Sequence, residues 1–271
     1  MKLKIAWFGK HFGEEPPITG KRGTGAVFFS GCNLHCVFCQ NWQISQEGLG
    51  KFYSVEDLAK IFLNLEKEGA ETIDLVSPTI WWKQIKQAIL IAKREGLKIP
   101  FVWNSNGTES LEILKELERL IEIYLPDFKY SDEKLAEKYS KAKNYPEIAK
   151  KSILEMYRQV GDLEIDERGV AKKGLIVRHL VLPSNLKNTF GCLDFIRSIS
   201  ENIHLSLMTQ YYPLYKAKDF PEINRTLSQN EFEKVMEYVE KLNFRNGWVQ
   251  DFQKSPNFLI PDFKKANPFK C

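Results

Sequence analysis

Between residues 23 and 245 a short apolar run is followed by an amphipathic helical stretch six times over. This alternation leaves a chain few choices. Each strand needs a crossover helix to reach a neighbour running the same way, so the product is a parallel sheet with helices packed on it. The apolar runs are 26–29, 72–76, 99–103, 121–125, 175–182 and 203–210. Ser54-x-x-Asp57 is a capping box at the start of the first helix, Pro146 sits in the first turn of the fourth, and Ser228 caps the last. Residues 162–172 read as a surface hairpin around Arg168-Gly169. Residues 1–22, interrupted by Pro16-Pro17 and several glycines, read as an irregular lead-in, 23–245 as the core domain, and 246–271 as a C-terminal extension.

Periodicity does not decide between an open sheet and a barrel. In either, functional groups gather at the C-terminal ends of the strands. There the chain places a cysteine loop, Ser77-Pro78-Thr79, Asn104-Ser105-Asn106, Asp127-Phe128-Lys129 and Gln210. Arg178 and His179 are neighbours inside one strand, so one points to the sheet's inner face and the other to the helices.

The net charge of +4 comes from 39 basic and 35 acidic residues spread along the chain, with no run of like charge. A nucleic-acid partner is therefore not expected. The first ten residues hold no apolar stretch of signal-peptide length, and no segment approaches the roughly 20 apolar residues of a membrane span. The expectation is a cytoplasmic protein without a membrane partner, where clustered cysteines hold metal or do chemistry rather than form disulfides.

Cys32, Cys36 and Cys39 fall within eight residues, spaced C-x3-C-x2-C, directly after an apolar run. Clustering this tight argues against three unrelated structural thiols. A structural zinc ion would want a fourth protein ligand; His35 is squeezed between the thiols, and Cys192 and Cys271 stand alone and far away. An iron–sulfur cubane held by three thiolates, with one iron open to a small molecule, accounts for the incomplete set.

C-x3-C-x2-C with Phe38 before the third cysteine, at the end of the first parallel strand, resembles the hallmark of the radical S-adenosylmethionine superfamily. The flanks Phe28-Phe29-Ser30-Gly31-Cys32 and Cys39-Gln40-Asn41 are similar to the activating-enzyme branch, whose type member activates pyruvate formate-lyase. Asn104-Ser105-Asn106-Gly107, Pro126-Asp127-Phe128-Lys129 and Val177 to Pro183 follow in the same order, so the likeness runs from about residue 20 to 245. It implies an α/β fold, a partial (β/α)6 barrel with short N- and C-terminal extensions. It also implies one [4Fe-4S] cluster on Cys32, Cys36 and Cys39, with S-adenosyl-L-methionine at the open iron and an electron donor of flavodoxin or ferredoxin type. The reaction it implies is reductive cleavage to a 5′-deoxyadenosyl radical that abstracts hydrogen, with a glycyl radical enzyme as the protein substrate.

By the same likeness Asn41 contacts the cofactor, and Ser77 and Thr79 stand where a Gly-Gly-Glu segment meets the methionine amine. Asn104 and Ser105 lie near its ribose and carboxylate, Lys129 pairs with the carboxylate, and Arg178 and Gln210 complete the set. The chain departs from the pattern at three places: no glutamate follows Ser77, Thr24 replaces an arginine, and Asn104 replaces an aspartate associated with a monovalent cation. The substrate thus stays open to another peptide or a small metabolite. A different class, a non-catalytic iron–sulfur sensor or adaptor, is the remaining alternative. Tyr211, Tyr212 and Tyr215 are expected to pack at the lip of the site.

Overall fold

A computed structural model describes residues 1–250 and 260–269. In chain order the strands are β1 (Lys2–His11), β2 (Thr24–Phe29), β3 (Lys51–Ser54), β4 (Ile73–Val76), β5 (Phe101–Ser105), β6 (Ile123–Pro126), β7 (Glu164–Ile165), β8 (Ala171–Leu180), β9 (His204–Met208) and β10 (Asn246–Val249). The helices are α1 (Pro16–Thr19), α2 (Trp42–Ser45), α3 (Val55–Lys67), α4 (Trp82–Arg94), α5 (Leu111–Leu117), α6 (Glu133–Ser140), α7 (Tyr145–Val160), α8 (Leu186–Ile199) and α9 (Gln229–Lys241).

The sheet runs β10-β9-β8-β6-β5-β4-β2-β1-β3. From β10 to β2 every pairing is parallel, and β1 and β3 add an antiparallel margin. This is the partial barrel expected. Its inner strands are buried on both faces, so residues 26–29 of β2 read as an unbroken apolar run, and the run of β4 is interrupted by Asp74 alone. Val27, Leu75, Trp103, Tyr124 and Val177 sit on the face that meets the helices. Ala26, Phe28, Val76, Val102, Ile123 and Ile176 form the inner face. Ser54 accepts from the Asp57 amide and Asp57 returns the favour, so the capping box read in the sequence opens α3. Ser228 and Glu231 do the same for α9.

Two stretches differ from expectation. The lead-in is not irregular: Lys2–His11 is a ten-residue strand laid antiparallel on β2. Leu3 and Ile5 turn inward while Lys2 faces solvent, the period of a half-buried strand. After it, α1 enters the barrel from below and packs Ile18, wholly buried, against Val102, Ile123, Leu125 and Ile176. This plug brings Glu14 and Glu15 into the interior. At the other end, Asn246–Val249 lies in the stretch read as an extension, yet pairs parallel with β9 and lengthens the sheet. The hairpin around Arg168-Gly169 is present as β7 against β8.

Candidate active site at the barrel mouth

β2 ends at Phe29, and Gly31 takes a φ of +90°, which a side chain resists, to turn the chain into the cysteine loop. The loop has little regular structure of its own and is held from outside. The Val37 amide donates to the Tyr139 carbonyl (2.8 Å), the His35 amide to the Ser140 carbonyl (3.0 Å), and the Lys216 amide to the Val37 carbonyl (2.8 Å). Leu34, Val37 and Phe38 are buried, and Phe38 meets the edge of Tyr211 at 5.9 Å. His35 is exposed and bonded to Gln46, away from the thiols.

All three cysteines line one cavity of about 640 Å3. Each sulfur has a hydrogen-bond donor to hand. Cys32 accepts from the Leu34 amide (3.4 Å) and Asn106 Nδ2 (3.5 Å), and Cys39 shares a bond with Ser45 Oγ (3.3 Å). Ser140 Oγ donates to Cys36 at 2.9 Å; its one proton thus spent, it must accept from Tyr130 Oη at 2.7 Å. Burial pushes the Cys36 thiol up to about 12 and raises Cys39 as well, so a metal must displace protons to bind there. Among the described residues no three His, Cys, Asp or Glu side chains gather closely enough to hold a single metal ion. Three donor-supported sulfurs around a roomy cavity fit an iron–sulfur cluster.

The cavity brings most of the sequence-predicted residues together: Asn41, Ser77, Asn104, Ser105, Lys129, Arg178 and Gln210 all line it. Thr79 does not; its hydroxyl donates to Glu109 Oε1 at 2.7 Å within the wall. Ser77 holds a φ of +59°, a left-handed conformation that costs a serine roughly 1 kcal/mol and a glycine nothing. Ser105 donates to Glu109 at 3.0 Å. The Oδ1 of Asn41 and the Oε1 of Gln210 are buried without a donor, two acceptors left for something in the cavity. Tyr215 packs by stacking on Trp42, outside the cavity lining; Tyr211, which donates to the Ile223 carbonyl, and Tyr212 both line the cavity.

Lys129 is not a free cation. Its Nζ reaches Asp127 Oδ2 at 2.5 Å, and Arg178 Nε reaches Asp127 Oδ1 at 2.7 Å. Burial works to raise Asp127, but the two cations outweigh it and hold the carboxyl below its usual range. Arg178 points inward and continues to Asn104 Oδ1 (2.5 Å) and Glu14 Oε2 (3.4 Å). His179 points outward, its Nδ1 donating to the Phe128 carbonyl at 2.7 Å and its Nε2 accepting from Thr189; burial lowers it to about 4.

Sequence reasoning missed Glu14, Glu15 and Asp74 as site residues, and placed Asn106 at a strand end without giving it a role. Glu14 and Glu15 lie in the lead-in, where no periodicity marks them. Asp74 carried a signal: a carboxylate in the middle of an apolar strand is rarely idle. Burial raises all three carboxyls above their usual range despite Arg178.

The sequence pattern of the radical SAM superfamily matches residues 26–173. The chain is 35% identical over 243 residues to the uncharacterized protein MJ0674 of Methanocaldococcus jannaschii, a match covering 86% of this chain and 66% of that one. Its fold is similar to SuiB of Streptococcus suis, solved with S-adenosylmethionine bound (TM-score 0.57, 16% identity, 82% of this chain and 48% of that one). It is also similar to spore photoproduct lyase (TM-score 0.56, 11% identity, 83% and 75%). The chain thus spans about half of SuiB and just under two thirds of MJ0674. Among the described residues no helix is long and apolar enough to cross a membrane. The cysteine spacing, the parallel half-barrel and the matched residues agree: this chain belongs to the radical SAM superfamily, whose cofactors are a [4Fe-4S] cluster and S-adenosyl-L-methionine.

Proposed function

We propose that Cys32, Cys36 and Cys39 hold the cluster and that the chain is a radical enzyme that abstracts a hydrogen atom from its substrate. When bound, the cluster and S-adenosyl-L-methionine together supply the 5′-deoxyadenosyl radical. The observation that carries this reading is the convergence of three donor-supported thiols with Asn41, Asn104, Lys129 and Gln210 on one cavity. A sensor or adaptor would have no use for the polar strand ends. The chain's own contributions are to hold the cofactor's charged end and to exclude water. Asn41 and Gln210 offer unused acceptors, and Lys129 and Arg178, braced by Asp127, offer positive charge to a carboxylate. Ser77 and its backbone would meet the cofactor amine, and Ser105, its hydroxyl donated to Glu109, would line the ribose side. No second cysteine cluster occurs in the sequence, which supports a single iron–sulfur centre.

Enzymes of this kind need an electron donor, here a flavodoxin or ferredoxin type. On the activating-enzyme likeness of the cysteine flanks, the product is a glycyl radical on a partner enzyme. The altered Ser77-Pro78-Thr79 and Thr24 positions favour a second reading, another peptide or a small metabolite as substrate. Anaerobic reconstitution tests the central reading. About four irons per chain, as one cubane requires, and 5′-deoxyadenosine formed on reduction with S-adenosyl-L-methionine are expected. One zinc per chain and no cleavage would sink it.

Ser140→Ala gives a finer test. A hydroxyl donated to a ligating sulfur stabilises the more negative, reduced cluster, so its loss is expected to lower the reduction potential with iron content unchanged. A redox titration followed by electron paramagnetic resonance reads the shift; an unmoved potential would show that Ser140 has no such role.

A further inference from the structure

A buried polar atom without a partner is costly, and the inner wall obeys that rule at one carboxylate while breaking it at two others. Glu109 is fully satisfied: Oε1 accepts from Thr79 Oγ1 (2.7 Å) and Trp103 Nε1 (3.0 Å), and Oε2 accepts from Ser105 Oγ (3.0 Å). Glu15, only 6% exposed and lining the cavity, accepts from Ser206 Oγ (2.9 Å) with Oε1, while Oε2 has no donor. Asp74, fully buried on the inner face, accepts from Asn104 Nδ2 (3.3 Å) with Oδ2, while Oδ1 has none.

The charges do not balance either. Among the described residues the cations that pair with Glu14, Glu15, Asp74 or Asp127 are Arg178 and Lys129. Asp127 takes a contact from both cations, and Glu14 shares Arg178. Among the described residues neither Glu15 nor Asp74 has a cation within ion-pair distance. Burial raises both carboxyls, and Arg178 offsets only part of it. These acids do not close on a metal ion, since no three of them gather at that distance. A group with several N–H donors on an organic frame would satisfy the open Glu15 oxygen and supply the missing charge, which Asp74, buried behind the cavity lining, would feel through its field alone.

We propose that the substrate carries an ammonium or guanidinium group that docks on Glu15, with Asp74 adding its charge, in the interior beneath the cysteine loop. That the docked molecule is the substrate rests on the radical-enzyme reading; that the floor takes an organic cation does not.

The full chain, purified anaerobically, is titrated calorimetrically with agmatine and n-butylammonium, and with butyrate as an anion of similar length. At least one amine is expected to bind saturably and butyrate not at all. Glu15→Gln, which keeps the shape and the Ser206 contact, is expected to weaken the amine on the order of thirtyfold, the loss typical when one partner of a buried charged pair is removed. Thermal melts confirm that the variant folds, and Asp74→Asn carries the same test should it not. Equal binding by wild type and a folded variant, no binding of either amine, or displacement of the amine by potassium alone would each overturn the proposal. The 5′-deoxyadenosine assay is read separately on the wild type. Amine binding without cleavage leaves the cation site standing and removes the radical reading; cleavage without amine binding does the reverse.

Discussion

Cys36→Ala is expected to abolish both the iron–sulfur centre and S-adenosyl-L-methionine cleavage. Of the three thiols Cys36 is the most deeply buried, and it receives the shortest donor, Ser140 Oγ at 2.9 Å. Alanine there leaves two thiolates at a site that already has one ligand fewer than the usual four. It also leaves the Tyr130–Ser140 hydroxyl pair without its acceptor. Iron per chain after anaerobic reconstitution should fall close to background, and no 5′-deoxyadenosine should form on reduction. The fold should survive, because the loop's anchors to Tyr139, Ser140 and Lys216 run through backbone groups that the substitution leaves in place. A variant that kept its iron and its cleavage would overturn the ligand assignment.

Arg178→Gln is expected to cost about 3–5 kcal/mol of stability at neutral pH, the range found when one partner of a buried ion pair is removed. Among the described residues Arg178 is the only cation that touches both Asp127 and Glu14, and it bonds Asn104 as well. The sign of the pH dependence follows from the groups left behind. Asp127 is held below its usual range by Arg178 and Lys129, so it contributes stability above its unfolded value that is lost as pH falls through the folded one. Glu14, Glu15 and Asp74 are raised, so they favour the folded state at low pH and lose that advantage as pH rises. Removing Arg178 moves all four upward. The deficit should therefore grow between about pH 4, where unfolded carboxyls titrate, and pH 8. Urea unfolding of the two proteins at pH 5 and pH 8 measures it. A deficit of the same size at both values would mean that packing, not charge, is what Arg178 supplies.

Much of this architecture is legible in the sequence because it rests on local rules. Capping boxes at Ser54 and Ser228 and the runs through β2, β4, β5 and β6 announce themselves within a few residues. The cysteine loop is legible for the same reason: its ligand set is written in eight consecutive positions. What is not local is harder to read. Lys129 was identifiable by its place after β6, but its bond to Asp127 depends on where Arg178 arrives from a strand fifty residues later. Thr79 and Ser105 sit at strand ends as expected, yet both hydroxyls are claimed by Glu109, which no spacing rule connects to them. Glu14 and Glu15 owe their place to the plug formed by Ile18, whose burial depends on inner-face residues from three strands. Such groups are invisible to periodicity because tertiary packing, not propensity, puts them there.

The cysteine loop also sets an order of events for a newly made chain. A zinc knuckle can fold on its own metal as soon as its ligands emerge, because metal and local turn suffice. Here the amide and carbonyl of Val37 are bound by residues about 100 and 180 positions further on, at Tyr139 and Lys216 respectively. Until those have been synthesised and packed, the loop has only its local bonds, such as those to Ile44 and Gln46, and lacks the ones that fix it to the barrel. Closing such long separations is a late and slow step of folding. Any inorganic centre the loop carries must therefore be installed in an almost finished barrel, through the same mouth by which small molecules enter.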